Sequence, residues 1–216
     1  MTIQRISIEN YFFNGLGPIG EALTLNTDHG SIDGLYISDK KTDLAVVWAG
    51  SWTGEERISP IAKNTASLLL KNGIDSLILK YRKPRELPSS SIDTEAGIIF
   101  LESLGYSKIA LVGHSFSGAV VITTGPLRES IVTVVALASQ TYGARPAREL
   151  SPKSLLLIHG TKDERLDVYC SEQIYSWAKQ PKELLILEGS SHSLREDLET
   201  VVTKIENWIS AMIKTA

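Results

Sequence analysis

The stretch IALVGHSFSGAVVI, residues 109–122, sets an apolar run, a turn of small residues and a second apolar run end to end. Ile109–Val112 reads as a strand buried on both faces, and Gly118–Ile122 as the start of a buried helix. Between them Ser115 has Gly113 two places before it and Ser117 two places after it. The common form of such a turn is G-x-S-x-G, in which the central serine sits on a sharp, strained strand-to-helix corner with its hydroxyl presented outward. The residues two before and two after that serine are crowded, so both must be small. Serine at 117 meets that demand, and Gly118 next to it relieves crowding between helix and strand. With Ser117 as the corner serine, the flanking positions would be Ser115 and Ala119 and the strand would extend too far. Ser115 is therefore the expected corner serine. By itself the pattern is also compatible with a plain glycine-rich turn that packs a helix on a sheet.

Outward from this corner the same texture repeats. Short runs rich in Leu, Ile and Val occur at Leu44–Trp48, Ser76–Lys80, Ile131–Ala138, Ser154–Ile158 and Glu183–Leu187. They show little alternation, as strands of a parallel sheet covered on both faces do. Ser59-Pro60 starts a helix with proline at its first position, and Asn72-Gly73 ends it. Near the C-terminus Leu194, Leu198, Val201, Ile205, Trp208 and Met212 form one apolar helical stripe. Before Leu44, Ala22–Asn26 and Ile32–Ile37 flank Asp28-His29-Gly30 as a hairpin. Residues 1–21, with Asn14-Gly15 and Gly17-Pro18, read as an irregular arm. The expected fold is a single α/β domain over residues 1–216, with a mainly parallel central sheet and helices on both faces. Its site should lie in loops at the carboxyl ends of the strands.

Bulk composition narrows the partners. The 216 residues carry a net charge of −3 and are 43% hydrophobic, enough to bury a core without disulfide or metal staples. No basic stripe supports nucleic-acid binding; the cluster Lys80, Arg82, Lys83, Arg85 is short and reads as a solvated loop. The one cysteine, Cys170, allows neither an intrachain disulfide nor a thiolate cluster. No run reaches the ~18 apolar residues of a membrane span, and the first residues lack a secretory pattern. A cytoplasmic location is expected.

A serine hydroxyl becomes a useful nucleophile only with a base beside it and an acid that orients the base. Of the four histidines, His29 lies in the hairpin turn, His114 beside the corner serine and expected to point away from it, and His159 at a strand end, where a packed, hydrogen-bonded role is expected. His192, in Gly-Ser-Ser-His-Ser, lies on a small-residue loop after the last strand and is the candidate base. Asp163, in His-Gly-Thr-Lys-Asp, follows the strand Ser154–Ile158 and is the candidate acid. Glu164 and Asp167 are its neighbours and rivals, Asp167 reading as the start of the next helix. The loop 139–146 offers no carboxylate.

The order Ser115, Asp163, His192 and the segments Leu-Val-Gly-His-Ser-Phe-Ser-Gly, Leu-Ile-His-Gly-Thr-Lys-Asp and Gly-Ser-Ser-His-Ser resemble the α/β-hydrolase superfamily from about Leu23 onward. The size looks most like small dienelactone-hydrolase-like and carboxylesterase-like members. Dienelactone hydrolase itself uses a cysteine nucleophile, which Ser115 argues against here. The resemblance implies an oxyanion hole made by two backbone N–H groups, that of Phe116 and that of Ser51, with Trp52 the neighbouring choice for the second. Family members often carry His-Gly before the second donor, where this chain has Ala49-Gly50. It also implies no metal or organic cofactor, and a small-molecule ester as substrate.

The segment Ser139–Lys153 is too short for a lid domain, so the site should be open or covered only by loops. Trp52, Gln140 and Tyr142, with Phe116 and Arg82, are candidates to line it, as well as candidates for packing or surface positions. The expected activity is cleavage of a carboxylic ester or thioester through an acyl-enzyme on Ser115. A non-catalytic binding protein of the same fold and an acyltransferase with the same three residues are the alternatives.

Overall fold

Each apolar run from Leu44 onward is a strand of one nine-stranded sheet. The computed structural model describes residues 6–39, 41–53 and 57–215. In chain order the elements are β1 (Ile8–Leu16), β2 (Glu21–Thr27), β3 (Gly30–Ile37), β4 (Leu44–Ala49), a small ribbon of β5 (Trp52–Thr53) and β6 (Arg57–Ile58), α1 (Pro60–Lys71), β7 (Asp75–Leu79), α2 (Leu87–Ser103), β8 (Lys108–His114), α3 (Phe116–Thr124), β9 (Ile131–Leu137), β10 (Ser154–Gly160), α4 (Tyr169–Trp177), β11 (Lys182–Leu187) and α5 (Leu198–Thr215). The sheet order is β1-β2-β3-β7-β4-β8-β9-β10-β11. From β7 to β11 the pairs are parallel, and β1, β2, β3 and β7 pair antiparallel.

The lack of alternation in these runs has its expected cause. All five residues of β7 and all seven of β10 are buried. In β4, Ala45, Val47 and Ala49 enter one core and Val46 and Trp48 the other. The first core packs beneath α2, α3 and α4, and the second beneath α1 and α5. This is a single-domain α/β fold with helices on both sheet faces.

Helix α1 begins at Pro60 as its start signal requires. It ends where Asn72 and Gly73 turn back onto the Leu69 and Leu70 carbonyls, with Gly73 at φ +74°.

Two expectations need correction. Residues 8–16 are not part of an irregular arm: they form the edge strand β1, paired antiparallel with β2. Its burial is slight, so no apolar alternation betrays it in the sequence. Tyr11 and Phe13 point to one side, where Tyr11 meets Phe100 edge-on at 5.1 Å and Phe13 lies 5.8 Å from Tyr36. These aromatics pack beside the sheet rather than over a cleft. In α5 the buried face is Val201, Val202, Ile205, Ile209 and Ile213. Trp208 and Met212 are only half-buried, and Leu194 precedes the helix in a left-handed turn at φ 55°.

Candidate functional site

Three loops at the carboxyl ends of parallel strands meet at one point. Ser115 follows β8, Asp163 follows β10 and His192 follows β11. The Ser115 backbone stands at φ 58°, ψ −120°, a region that costs a non-glycine residue roughly 1–3 kcal/mol. Its amide donates to the Leu137 carbonyl at 2.7 Å, and its carbonyl accepts from the Gly118 amide at 3.0 Å. These bonds hold the corner open. Gly113 permits the turn: a Cβ there would sit 2.1 Å from the Ser117 carbonyl oxygen.

Ser117 lies inside the first turn of α3 and is 7% exposed. The buried Tyr81, whose phenol meets Thr94 Oγ1 at 3.3 Å, borders the same Gly50 position as the Ser117 hydroxyl. Burial pushes the Tyr81 phenol well above its usual range. The Ser117 Oγ also fills the space beside Gly50, where an added Cβ would come within 2.7 Å of it. The residue that departs from G-x-S-x-G thus packs against the loop after β4, while Ser115 keeps the half-buried corner beside His192.

His192 Nε2 lies 2.9 Å from Ser115 Oγ, and His192 Nδ1 lies 2.7 Å from Asp163 Oδ2. The carboxylate can only accept, so Nδ1 carries the proton and Nε2 is free to accept from the serine hydroxyl. The Asp163 side chain is fully buried. Burial pushes its pKa up, but the amides of Leu166 and Arg165 and the His192 ring outweigh this, and the net shift is downward. Those amides reach Asp163 Oδ1 at 2.9 and 2.8 Å. Of the rival acids, Glu164 accepts instead from the His192 amide at 3.2 Å. Asp167 accepts from the Tyr169 amide at the start of α4, its expected place.

His114 does not point away from this constellation. Its ring lies 4.9 Å from that of His192, and its Nε2–H donates to the His192 carbonyl at 2.8 Å. Burial, the largest effect, pushes the His114 pKa down to about 4, so the ring is neutral at pH 7. The sign of the resulting pH dependence is fixed. Between the ordinary value of 6.5 and about 4 the unfolded chain binds this proton and the folded one does not. The contribution is complete above pH 6.5 and lost as pH falls toward 4. With the partial exposure of the ring discounted, it amounts to about 2 kcal/mol. Urea unfolding of wild type and His114→Asn at pH 7 and pH 4.5 should show the smaller acid-induced loss in the variant.

Beside His192 a cavity of about 540 Å³ opens to solvent, bounded among others by Gly50, Ser51, Pro60, His114, Arg165 and Arg195. Ser51 reaches the site through strand register: Ala49 of β4 pairs with Gly113 of β8, so Ser51 and Ser115 both lie two residues beyond paired positions. The Ser51 carbonyl accepts from the Ser59 amide at 2.9 Å, which ties this loop to the start of α1. Phe116 is the first residue of α3, at the positive end of its dipole. Gln140 and Tyr142 lie on the loop after β9. There Gln140 Nε2 donates to the Tyr142 carbonyl at 3.0 Å, and the Tyr142 ring is 75% exposed. The Trp52 side chain lies outside the described residues.

Arg82 is committed elsewhere. Its guanidinium grips the fully buried Asp93, with Nε at 2.7 Å and Nη2 at 2.6 Å from Oδ1. Its amide reaches Oδ2 at 2.9 Å, and Nη1 donates to the His29 carbonyl. Removing one partner strands a buried charge, so Arg82→Met should lose about 3 kcal/mol of unfolding free energy in urea. The double variant Arg82→Met/Asp93→Leu should recover most of it.

Among the described residues no three His, Cys, Asp or Glu side chains gather to hold a metal ion, and no helix is long and apolar enough to cross a membrane.

The architecture is the α/β-hydrolase fold, and among the described residues no lid domain interrupts it. Solved structures that share it include the dienelactone hydrolase from Anabaena variabilis, with a TM-score of 0.77 and 18% identity over 89% of this chain and 97% of that one. The esterase domain of a Rhodothermus marinus protein has a TM-score of 0.75 at 14% identity, covering 89% and 98%. A lidless α/β serine hydrolase from Xanthomonas campestris has 0.69 at 16%, covering 89% and 96%. No family model matches the chain. A 45-residue stretch is 49% identical to an uncharacterized protein of Pseudomonas aeruginosa, and it spans 21% of this chain and 12% of that protein.

Proposed function

We propose that the chain is a serine hydrolase that cleaves a carboxylic ester or thioester through an acyl-enzyme on Ser115. The observation that carries this reading is the unbroken chain Ser115 Oγ, His192 Nε2, His192 Nδ1, Asp163 Oδ2, with contacts of 2.9 and 2.7 Å. The strained corner at Ser115 supports it, because backbone strain is retained where a side chain must be presented.

In the proposed reaction Ser115 Oγ attacks the substrate carbonyl carbon while His192 Nε2 takes its proton. Asp163 holds the His192 tautomer and stabilises the imidazolium. The amides of Phe116 and Ser51 receive the developing oxyanion. His192 then returns the proton to the departing alkoxide or thiolate, and the acyl–Ser115 ester remains. Water, deprotonated by His192, attacks that ester and releases the carboxylic acid and the free serine. The cavity beside His192 would admit one end of a small-molecule ester. No step calls on a metal or an organic cofactor, and a cytoplasmic setting suits the reading.

The direct test is a fluorophosphonate probe, with the modified residue located by mass spectrometry. Label on Ser115 is expected. Folded protein that stays unlabelled and cleaves no member of a short-chain ester and thioester panel would overturn the reading in favour of a binding protein. Product partitioning to added alcohol or amine acceptors would mark an acyltransferase instead.

A further inference from the structure

His159 is fully buried at the end of β10 and takes no part in the reaction above. Its surroundings are those of a clamp on the acid loop. Nε2 lies 2.9 Å from the Leu166 carbonyl and 3.0 Å from Asp163 Oδ2. Both neighbours only accept, so this nitrogen carries a proton. The opposite nitrogen, Nδ1, meets Ser171 Oγ on α4 at 2.7 Å. The ring therefore spans from α4 to the turn 163–166. That turn supplies the two amides, of Arg165 and Leu166, that hold Asp163 Oδ1. Oδ2 is left to face two imidazoles, His192 from one side and His159 from the other.

We infer that His159 is a positioning residue: anchored by Ser171, it fixes the 163–166 turn through the Leu166 carbonyl and so holds Asp163 aimed at His192 Nδ1. The inference rests on the reading of Ser115, His192 and Asp163 as the reacting set. Its physical basis is that a carboxylate misplaced by about 1 Å can cost on the order of 10²-fold in rate. Apolar replacement of His159 leaves the Leu166 carbonyl and the Ser171 hydroxyl without their partner and frees the turn to move. Glutamine can place an amide N–H near the former Nε2 position and restore the bond to Leu166.

The experiment compares wild type, His159→Leu, His159→Gln and Ser171→Ala. Two quantities are read on folded protein: the rate of fluorophosphonate labelling of Ser115, and the far-downfield proton resonance of the His192 Nδ1–H bonded to Asp163. His159→Leu should label roughly tenfold to a hundredfold more slowly and lose or broaden that resonance. His159→Gln should return both to near wild type. Ser171→Ala, a milder change, should move both in the same direction by a few-fold and serves if His159→Leu fails to fold. Lower stability with an unchanged resonance and an unchanged labelling rate would overturn the inference and leave His159 a packing residue. So would a wild type lacking the resonance. A wild type that shows the resonance, and loses it in His159→Leu, yet takes no label and cleaves no member of the ester and thioester panel would instead sink the hydrolase reading and leave the clamp standing.

Discussion

Ser115→Ala should lower ester turnover by about 10⁴- to 10⁶-fold, whereas Ser117→Ala should stay within about tenfold of wild type. The two hydroxyls are two residues apart and differ in everything that matters for chemistry. Ser115 Oγ has the His192 ring at 2.9 Å. Ser117 is buried in the first turn of α3, with its hydroxyl packed beside Gly50. Alanine at 115 removes the atom that forms the acyl bond, and what remains is binding and oxyanion stabilisation. The loss should therefore fall on kcat, with KM little changed. Alanine at 117 removes a brace on the loop that carries Ser51, and the expected cost is modest. Steady-state kinetics on the best ester of the panel would read both. If the large loss followed Ser117→Ala instead, the corner would be misassigned and the whole site with it.

Gly113→Ala is expected to cost about 3 kcal/mol or more of stability and most of the activity. The added Cβ would stand 2.1 Å from the Ser117 carbonyl oxygen and 2.4 Å from its carbon. Both are backbone atoms in the first turn of α3, so no rotamer change relieves the clash. Either β8 and α3 separate or the first turn unwinds, and both outcomes move Ser115 away from His192. A urea melt gives the stability and the labelling rate gives the site. Wild-type values for both would mean that the corner relaxes freely and that its strain is not imposed by the fold.

The same residues mark what could be read from the sequence. Unalternating Leu, Ile and Val runs identify strands covered on both faces, because burial on each side demands apolar residues at every position. Gly113, Ser115 and the apolar runs around them state a strand-to-helix corner locally, since the crowding that selects small residues acts within six positions. The residue types at the ends of β10 and β11 narrowed the acid to Asp163, Glu164 and Asp167, and the base to His192. A strand such as β1, almost wholly exposed and packed through Ile8 and the rings of Tyr11 and Phe13, leaves no comparable pattern. The face of α5 was ambiguous for another reason: Leu198, Trp208 and Met212 overlap in spacing with Val202, Ile209 and Ile213.

Tertiary structure decided the rest. Ser115 and His192 are 77 residues apart in the chain, and His192 and Asp163 are 29 apart. They meet because the strand order sets β8, β9, β10 and β11 side by side with their carboxyl ends together. Packing also sorted the histidines: His114 onto the His192 carbonyl, and His159 onto the Asp163 turn. The sequence alone determined the kinds of element and the kinds of chemical group at their ends, because local sterics and burial act through neighbouring residues. Which of those groups touch was decided only by the folded sheet, because a hydrogen bond depends on distances of a few tenths of an ångström between loops that the chain itself leaves far apart.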